Sequence, residues 1–213
     1  MTEGQRIIIV GAGGFGREVL SWALDCHEAG RLPPVGGFID DQEQAMAGFD
    51  VPRLGAISDY APEPGDRFVV AVGKPSSKRK LVEMLSERGA QFATLIHPTA
   101  VVTRTATLGE GVIMTPFTMA NPNSVFGRFV TIISFSGLGH DARAGEFTTI
   151  SSHVDVTGFA ELGREVFVAS GARILPGVKV GDGATIGAGA VVMRRVKPGA
   201  TVYAEPAKLL FKS

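Results

Sequence analysis

Much is scarce in this chain. Its 213 residues include a single cysteine, Cys26, which excludes a disulfide scaffold and fits a reducing cytoplasm. Net charge is absent, with 21 Lys and Arg against 21 Asp and Glu, so no whole-chain field draws it to nucleic acid or an anionic membrane. No apolar run nears the ~20 residues of a membrane span, and the N-terminus lacks the pattern of a signal peptide. There is no CxxC, HExxH or clustered His–carboxylate pattern for a metal. The expectation is a cytoplasmic protein with no metal, membrane or nucleic-acid partner. What is abundant is glycine: 28 residues, where ~7% is usual. It does not recur at every third position, so this is not collagen.

The first hundred residues alternate strand and helix. Arg6–Val10, Val35–Ile39, Phe68–Val72 and Phe92–Ile96 read as four strands of a small open α/β sheet. Phe15–Ala29 and Ser76–Arg88 carry helical spacing, with inner faces of Val19, Leu20, Ala23 and Leu24, and of Leu81, Met84 and Leu85.

From His97 the period changes. Glycine falls at 109, 127, 145, 163 and 181, a constant interval of 18. Stepping by six from Val102 through Leu108, Met114 and onward to Val192 meets sixteen apolar residues in succession, and the position four later is always small or β-branched, ending at Val196. A hexapeptide repeat predicts a parallel β-helix, three hexads to a triangular coil and about five coils in all. The large apolar residue points inward and the small one fills the corner. Glycine, Asn and Asp are expected at left-handed turn positions. Phe117 should stack over Phe135, and Phe129 over Phe147, each pair one coil apart. The domains are expected at 1–97 and 98–213.

Several segments match one family: Val10-Gly11-Ala12-Gly13-Gly14-Phe15-Gly16-Arg17-Glu18, Gly37-Phe38-Ile39-Asp40-Asp41, Ile96-His97-Pro98-Thr99-Ala100, Gly139-His140-Asp141 and Val202-Tyr203-Ala204-Glu205-Pro206-Ala207-Lys208. With the β-helix, these resemble the NeuD/PglD-like bacterial sugar acetyltransferases, GDP-perosamine N-acetyltransferase among them, over nearly the whole chain. The resemblance implies a Rossmann-like N-terminal domain that binds the nucleotide of a nucleotide-linked amino sugar. It also implies a C-terminal left-handed β-helix, and a homotrimer with acetyl-CoA in the cleft between neighbouring prisms.

Gly11-x-Gly13-x-x-Gly16 follows a strand and opens a helix, where backbone N–H groups can approach phosphate. The candidate nucleotide-sugar residues are Gly13, Gly14, Phe15, Gly16 and Arg17, then Asp40 and Asp41 after the second strand, and Gly73 and Lys74 after the third. The α/β region is too short for a full dinucleotide fold, so a mononucleotide carrying a sugar fits better. The glycines would also serve a tight turn alone, and Lys74 would equally suit solvent. Relatives often have His where Phe15 stands.

Acetyl transfer to an amine needs a base, a polarised carbonyl and held substrates. Of four histidines, His27 reads as surface, His97 as a junction residue, and His153 as lying on a different corner from His140. His140 matches the family's base and Asp141 its orienting partner. Gly158 lies 18 residues on, one coil or about 5 Å away, and is the candidate carbonyl-oxygen donor through its N–H. Ser170 and Ala188, on another corner, match positions that meet the pantetheine arm. Two departures concern substrate handling: Thr149, where relatives carry a second His, and Ile133, where some have Asn. The leading expectation is N-acetylation of a nucleotide-linked amino sugar by direct attack, since Cys26 is poorly placed as a nucleophile. Sugar O-acetylation of the sialic-acid type, a catalytically inactive nucleotide-binding scaffold and a nicotinamide oxidoreductase are the alternatives.

Overall fold

A computed structural model describes residues 4–42, 46 and 48–209. Four parallel strands, β1 (Arg6–Val10), β2 (Val35–Ile39), β3 (Arg53–Gly55) and β4 (Asp66–Val70), form an open sheet of order β3-β2-β1-β4. Helices α1 (Gly14–Glu28) and α2 (Pro75–Glu87) flank it. Both begin one residue before their expected starts. The three-residue edge strand β3 has too little alternation to stand out in sequence.

The segment expected as the open sheet's fourth strand divides. Phe92 makes a single bridge to Phe68. Leu95–Ile96 then pairs with Ile113–Met114 as the first rung of the solenoid. The rest of the chain winds into a triangular parallel β-helix of two-residue strands at 18-residue intervals. Face I holds Leu95–Ile96, Ile113–Met114, Thr131–Ile132, Thr149–Ile150, Phe167–Val168, Thr185–Ile186 and Thr201–Val202. Face II runs from Val101–Val102 to Val191–Val192, and face III from Thr107–Leu108 to Lys179–Val180.

Inside the prism the stepped column is the core: Met114, Phe126, Ile132, Leu138, Ile150, Val156, Val168, Ile174 and Ile186 are all buried. The small column fills the corners, with Val112, Thr118, Ser124, Ala142 and Ala160 buried. One member departs. The final coil is two residues short, so Val196 bridges Val180 and takes an inward position on face III.

The two repeating glycine slots differ in purpose. Gly111, Gly171, Gly177, Gly183 and Gly189 have φ of 65–73°. The same left-handed slot is filled between them by Phe117, Asn123, Phe129, Phe135, Asp141, Phe147, His153, Phe159 and Glu165, at φ of 54–63°. Left-handed backbone costs an L-residue about 1–2 kcal/mol, and aromatic stacking offsets an amount of that size. Phe117, Phe135 and His153 form one ladder at 5.2 and 5.0 Å, and Phe129 stacks on Phe147 at 5.3 Å. The second slot is crowded rather than left-handed. A Cβ on Gly139 would stand 2.6 Å from the Thr157 carbonyl carbon of the next coil.

The N-terminal domain lies on face I. Phe92 meets Phe129 edge-on at 4.9 Å, and Ile113 packs among α1 and β1 residues. Helix α2 buries Lys78, Val82 and Leu85, with Leu81 and Met84 only partly covered. Lys78 Nζ donates to Thr131 Oγ1 at 2.9 Å and Thr149 Oγ1 at 3.1 Å. Burial pushes this ammonium down to about 7. An unfolded lysine keeps its proton up to the usual 10.5. Between about pH 7 and 10.5 the unfolded chain therefore binds the extra proton, and stability rises with pH; below that window the full burial penalty remains. The difference across the window is on the order of 5 kcal/mol. Urea midpoints at about pH 7 and 9.5 should rise for the native chain. Lys78→Met should lose most of that slope.

Candidate active site

His140 and Asp141 sit at the tip of the corner between faces II and III, as the two central residues of a turn closed by Ala142 N–H to Gly139 O at 3.2 Å. Asp141, at φ 60°, occupies the position where a type II turn requires left-handed backbone. This conformation lets sequence neighbours touch: His140 Nδ1 lies 3.0 Å from Asp141 Oδ2. The carboxylate is held well below its usual range, first by that hydrogen bond and then by one from Asn123. An ionised carboxylate only accepts, so Nδ1 carries a proton, and in the neutral imidazole Nε2 then keeps its lone pair. Phe159 buttresses the ring edge-on at 5.0 Å.

Gly158 stands where its 18-residue offset places it. A Cβ there would lie 2.5 Å from His140 Nε2, so the imidazole rests on bare backbone. The Gly158 N–H makes no hydrogen bond to a described protein group. Pro122 and Pro176 occupy the equivalent turn position in the neighbouring coils and have no N–H there. The corner thus presents a basic nitrogen and a free donor side by side.

Ser170 and Ala188 lie on the corner between faces I and II, alongside the Phe117–Phe135–His153 ladder. They are not brought to His140 within one chain. Thr149 faces the N-terminal domain from face I, under Lys78, and Ile133 starts the corner between faces I and II, partly buried.

In the glycine loop the labour is divided. Gly11 turns at φ 90°, and Gly16 presses the helix onto the strand, since a Cβ there would meet the Gly11 carbonyl. Gly13 and Gly14 face open space, and Arg17 is exposed beside them. Phe15 packs edge-on against Trp22 at 6.2 Å. Asp40 accepts the Ala12 and Gln42 N–H groups, each at 2.7 Å, so both its oxygens are used in tying the loop to β2. Asp41 accepts Ile57 N–H at 3.0 Å. Gly73 and Lys74 border a cleft of about 590 Å³ between the α2 N-terminus and face I, with Ser76, Glu165, Phe167 and Thr185 on its walls. The glycine loop and this cleft belong to the face I side. His140 is on the corner opposite that face.

Cys26 is buried, its thiol pushed up to about 11 by burial and donating to Ile96 O at 3.5 Å, which makes it a poor nucleophile. His97 is buried at the junction, bonded to Thr99 and Asp25, and His27 Nδ1 meets Leu32 O. His153 stacks in the aromatic ladder. Lys78 and Asn123 escaped sequence reasoning. Nothing in Ser-Ser-Lys-Arg-Lys marks one lysine as buried, whereas Asn123 is one coil before Asp141 and the same 18-residue arithmetic finds it. Among the described residues no His, Cys, Asp and Glu gather as a metal would need, and no helix is long and apolar enough to cross a membrane.

Residues 6–85 match the PglD N-terminal domain, and residues 159–194 match the bacterial transferase hexapeptide (six repeats). The chain is 31% identical over 114 residues to the UDP-N-acetylbacillosamine N-acetyltransferase of Bacillus subtilis (strain 168), covering 52% of this chain and 51% of that protein. It is 30% identical over 140 residues to the GDP-perosamine N-acetyltransferase of Escherichia coli O157:H7, covering 63% and 62%. The matched stretches thus span about half to three-fifths of these relatives. The crystal structure of PerB from Caulobacter crescentus, in complex with CoA and GDP-perosamine, superposes over 95% of this chain and 96% of that one, with a TM-score of 0.85 and 30% identity. With this two-part fold and these likenesses, the chain belongs to the PglD-like, hexapeptide-repeat family, whose members matched here are nucleotide-sugar N-acetyltransferases.

Proposed function

We propose that the protein transfers an acetyl group from acetyl-CoA to the amine of a nucleotide-linked sugar. The observation that carries this reading is His140, with Nδ1 committed to Asp141 and Nε2 free above Gly158. His140 takes the proton that the sugar amine loses as the new N–C bond forms and the C–S bond breaks, and returns it to the departing sulfur. The Gly158 N–H donates to the carbonyl oxygen as negative charge gathers there. Gly13 and Gly14 offer backbone amides to the nucleotide phosphates at the α1 N-terminus, with Lys74 on the same sheet edge. Asp40 holds the loop through the Ala12 N–H, and its remaining lone pairs, with those of Asp41, are acceptors for the ribose or base.

The active unit is a homotrimer. The nucleotide loop faces the face I side and His140 the opposite corner, so one chain cannot bring its own two halves together. A neighbouring copy can, along face II. Face I is covered by the N-terminal domain, and the outward residues of face III include Arg143, Glu161 and Lys179. Val101, Met119 and Val191 on face II, with Phe117, Phe135 and Phe159 on its bounding corners, are about half exposed. That packing also carries Ser170 and Ala188 of one copy toward the next copy's His140. Light scattering should give three chain masses. The single buried Cys26 suits a cytoplasmic site of action.

The test is a panel of UDP-, GDP- and dTDP-linked amino sugars with acetyl-CoA, read by thiol release. Turnover of one nucleotide class with acetylated nitrogen is expected. A free sugar accepted equally well would replace the reading with sugar O-acetylation, and no thiol release from any acceptor would leave a scaffold.

A further inference from the structure

One coil before the catalytic corner, Asn121-Pro122-Asn123-Ser124 forms the equivalent turn, closed by Ser124 N–H to Asn121 O at 3.1 Å. Pro122 presets the first central position, and Asn123 takes the left-handed second one at φ 61°. The turn is anchored on both sides. The Asn121 amide donates to Leu138 O at 3.0 Å, Asn123 N–H donates to Thr105 Oγ1 at 3.0 Å, and Pro122 O accepts Asp141 N–H at 2.9 Å. From this platform Asn123 Nδ2 reaches Asp141 Oδ1 at 3.0 Å, while Asp141 Oδ2 faces His140 Nδ1. A carboxylate is acceptor-only, so the amide nitrogen must face it, and each oxygen then has one donor.

We propose that Asn123 is a positioning residue for His140: its amide fixes the Asp141 carboxylate in the orientation that keeps the imidazole proton on Nδ1 and leaves Nε2 free. The inference rests on His140 being the base. Asp141 is about one-third exposed, so packing alone does not hold its carboxylate. With Asn123 absent, the carboxylate is free to rotate and its hold on the Nδ1 proton weakens. The charged groups facing the pair are few: Arg143, on the following strand, favours ionised Asp141 as well, and the remaining neighbours, Asn123 and Phe159, are neutral.

Asn123→Gly removes the side chain and keeps a residue at ease in left-handed backbone, so the turn survives. Long-range proton–nitrogen NMR of the full chain at mildly alkaline pH should show the Nδ1–H form of His140 in the native protein. In Asn123→Gly it should shift toward the Nε2–H form. With the acceptor identified by the panel, kcat should fall about five- to tenfold, with the KM for acetyl-CoA unchanged. Asn123→Asp, which sets an acceptor against an acceptor, should lose at least as much. An unmoved tautomer in Asn123→Gly, or a shifted tautomer with unchanged kcat, overturns the proposal. Failure of the base assignment itself reads out elsewhere, as a fully active His140→Asn enzyme.

Discussion

His140→Asn should lower kcat by about 10²–10⁴-fold, the range for loss of a positioned general base. The substituted amide fills similar space but takes up no proton at neutral pH. The expected loss falls on kcat because the ring's visible partners are Asp141, Phe159 and the Gly158 backbone, none of them an N-terminal residue. The side chain is 58% exposed, so the melting temperature should stay within a few degrees of native. Steady-state rates at neutral pH with a turned-over amino sugar decide it. A rate within twofold of native would remove His140 from the mechanism.

The second large effect is Gly158→Ala, about 100-fold in kcat. The added Cβ would stand 2.5 Å from Nε2, 2.6 Å from Cε1 and 3.1 Å from Cδ2 of His140. A flexible exposed ring yields before backbone does, so it swings outward, leaves Asp141 and exposes the new methyl beside the Gly158 N–H. Gly158 is not in left-handed backbone, so alanine adds no φ strain and the fold should persist. The two substitutions act on one unit and should be non-additive: in His140→Asn, adding Gly158→Ala should cost little more. Full additivity in the double mutant, measured as kcat, would separate the two residues.

Gly158 is legible because a solenoid turns sequence interval into spatial distance: 18 residues make one coil, so arithmetic on His140 finds its neighbour. The same step backward from Asp141 reaches Asn123. The hexad column likewise gives the core, because inward residues repeat every six whatever the prism rests on. Val196 escapes this logic, since a two-residue shortening of the last coil leaves the column's spacing but changes its register. The left-handed phenylalanines escape it too. Their strain is offset by stacking on a ring 18 residues away, which backbone preference alone does not include.

By itself the sequence determined the strand–helix half, the β-helix, its coil length and the column that unites His140 with Gly158, because each rests on a local period or a single repeating step. Only the tertiary structure decided which face the N-terminal domain covers. That choice buries Lys78 against Thr131 and Thr149 and leaves face II open, with Val101, Met119 and Val191 exposed alongside Asp155 and Arg173. It also sets the glycine loop on the side away from its own chain's His140. These outcomes depend on how two units dock, and docking is fixed by side chains far apart in sequence that share no period.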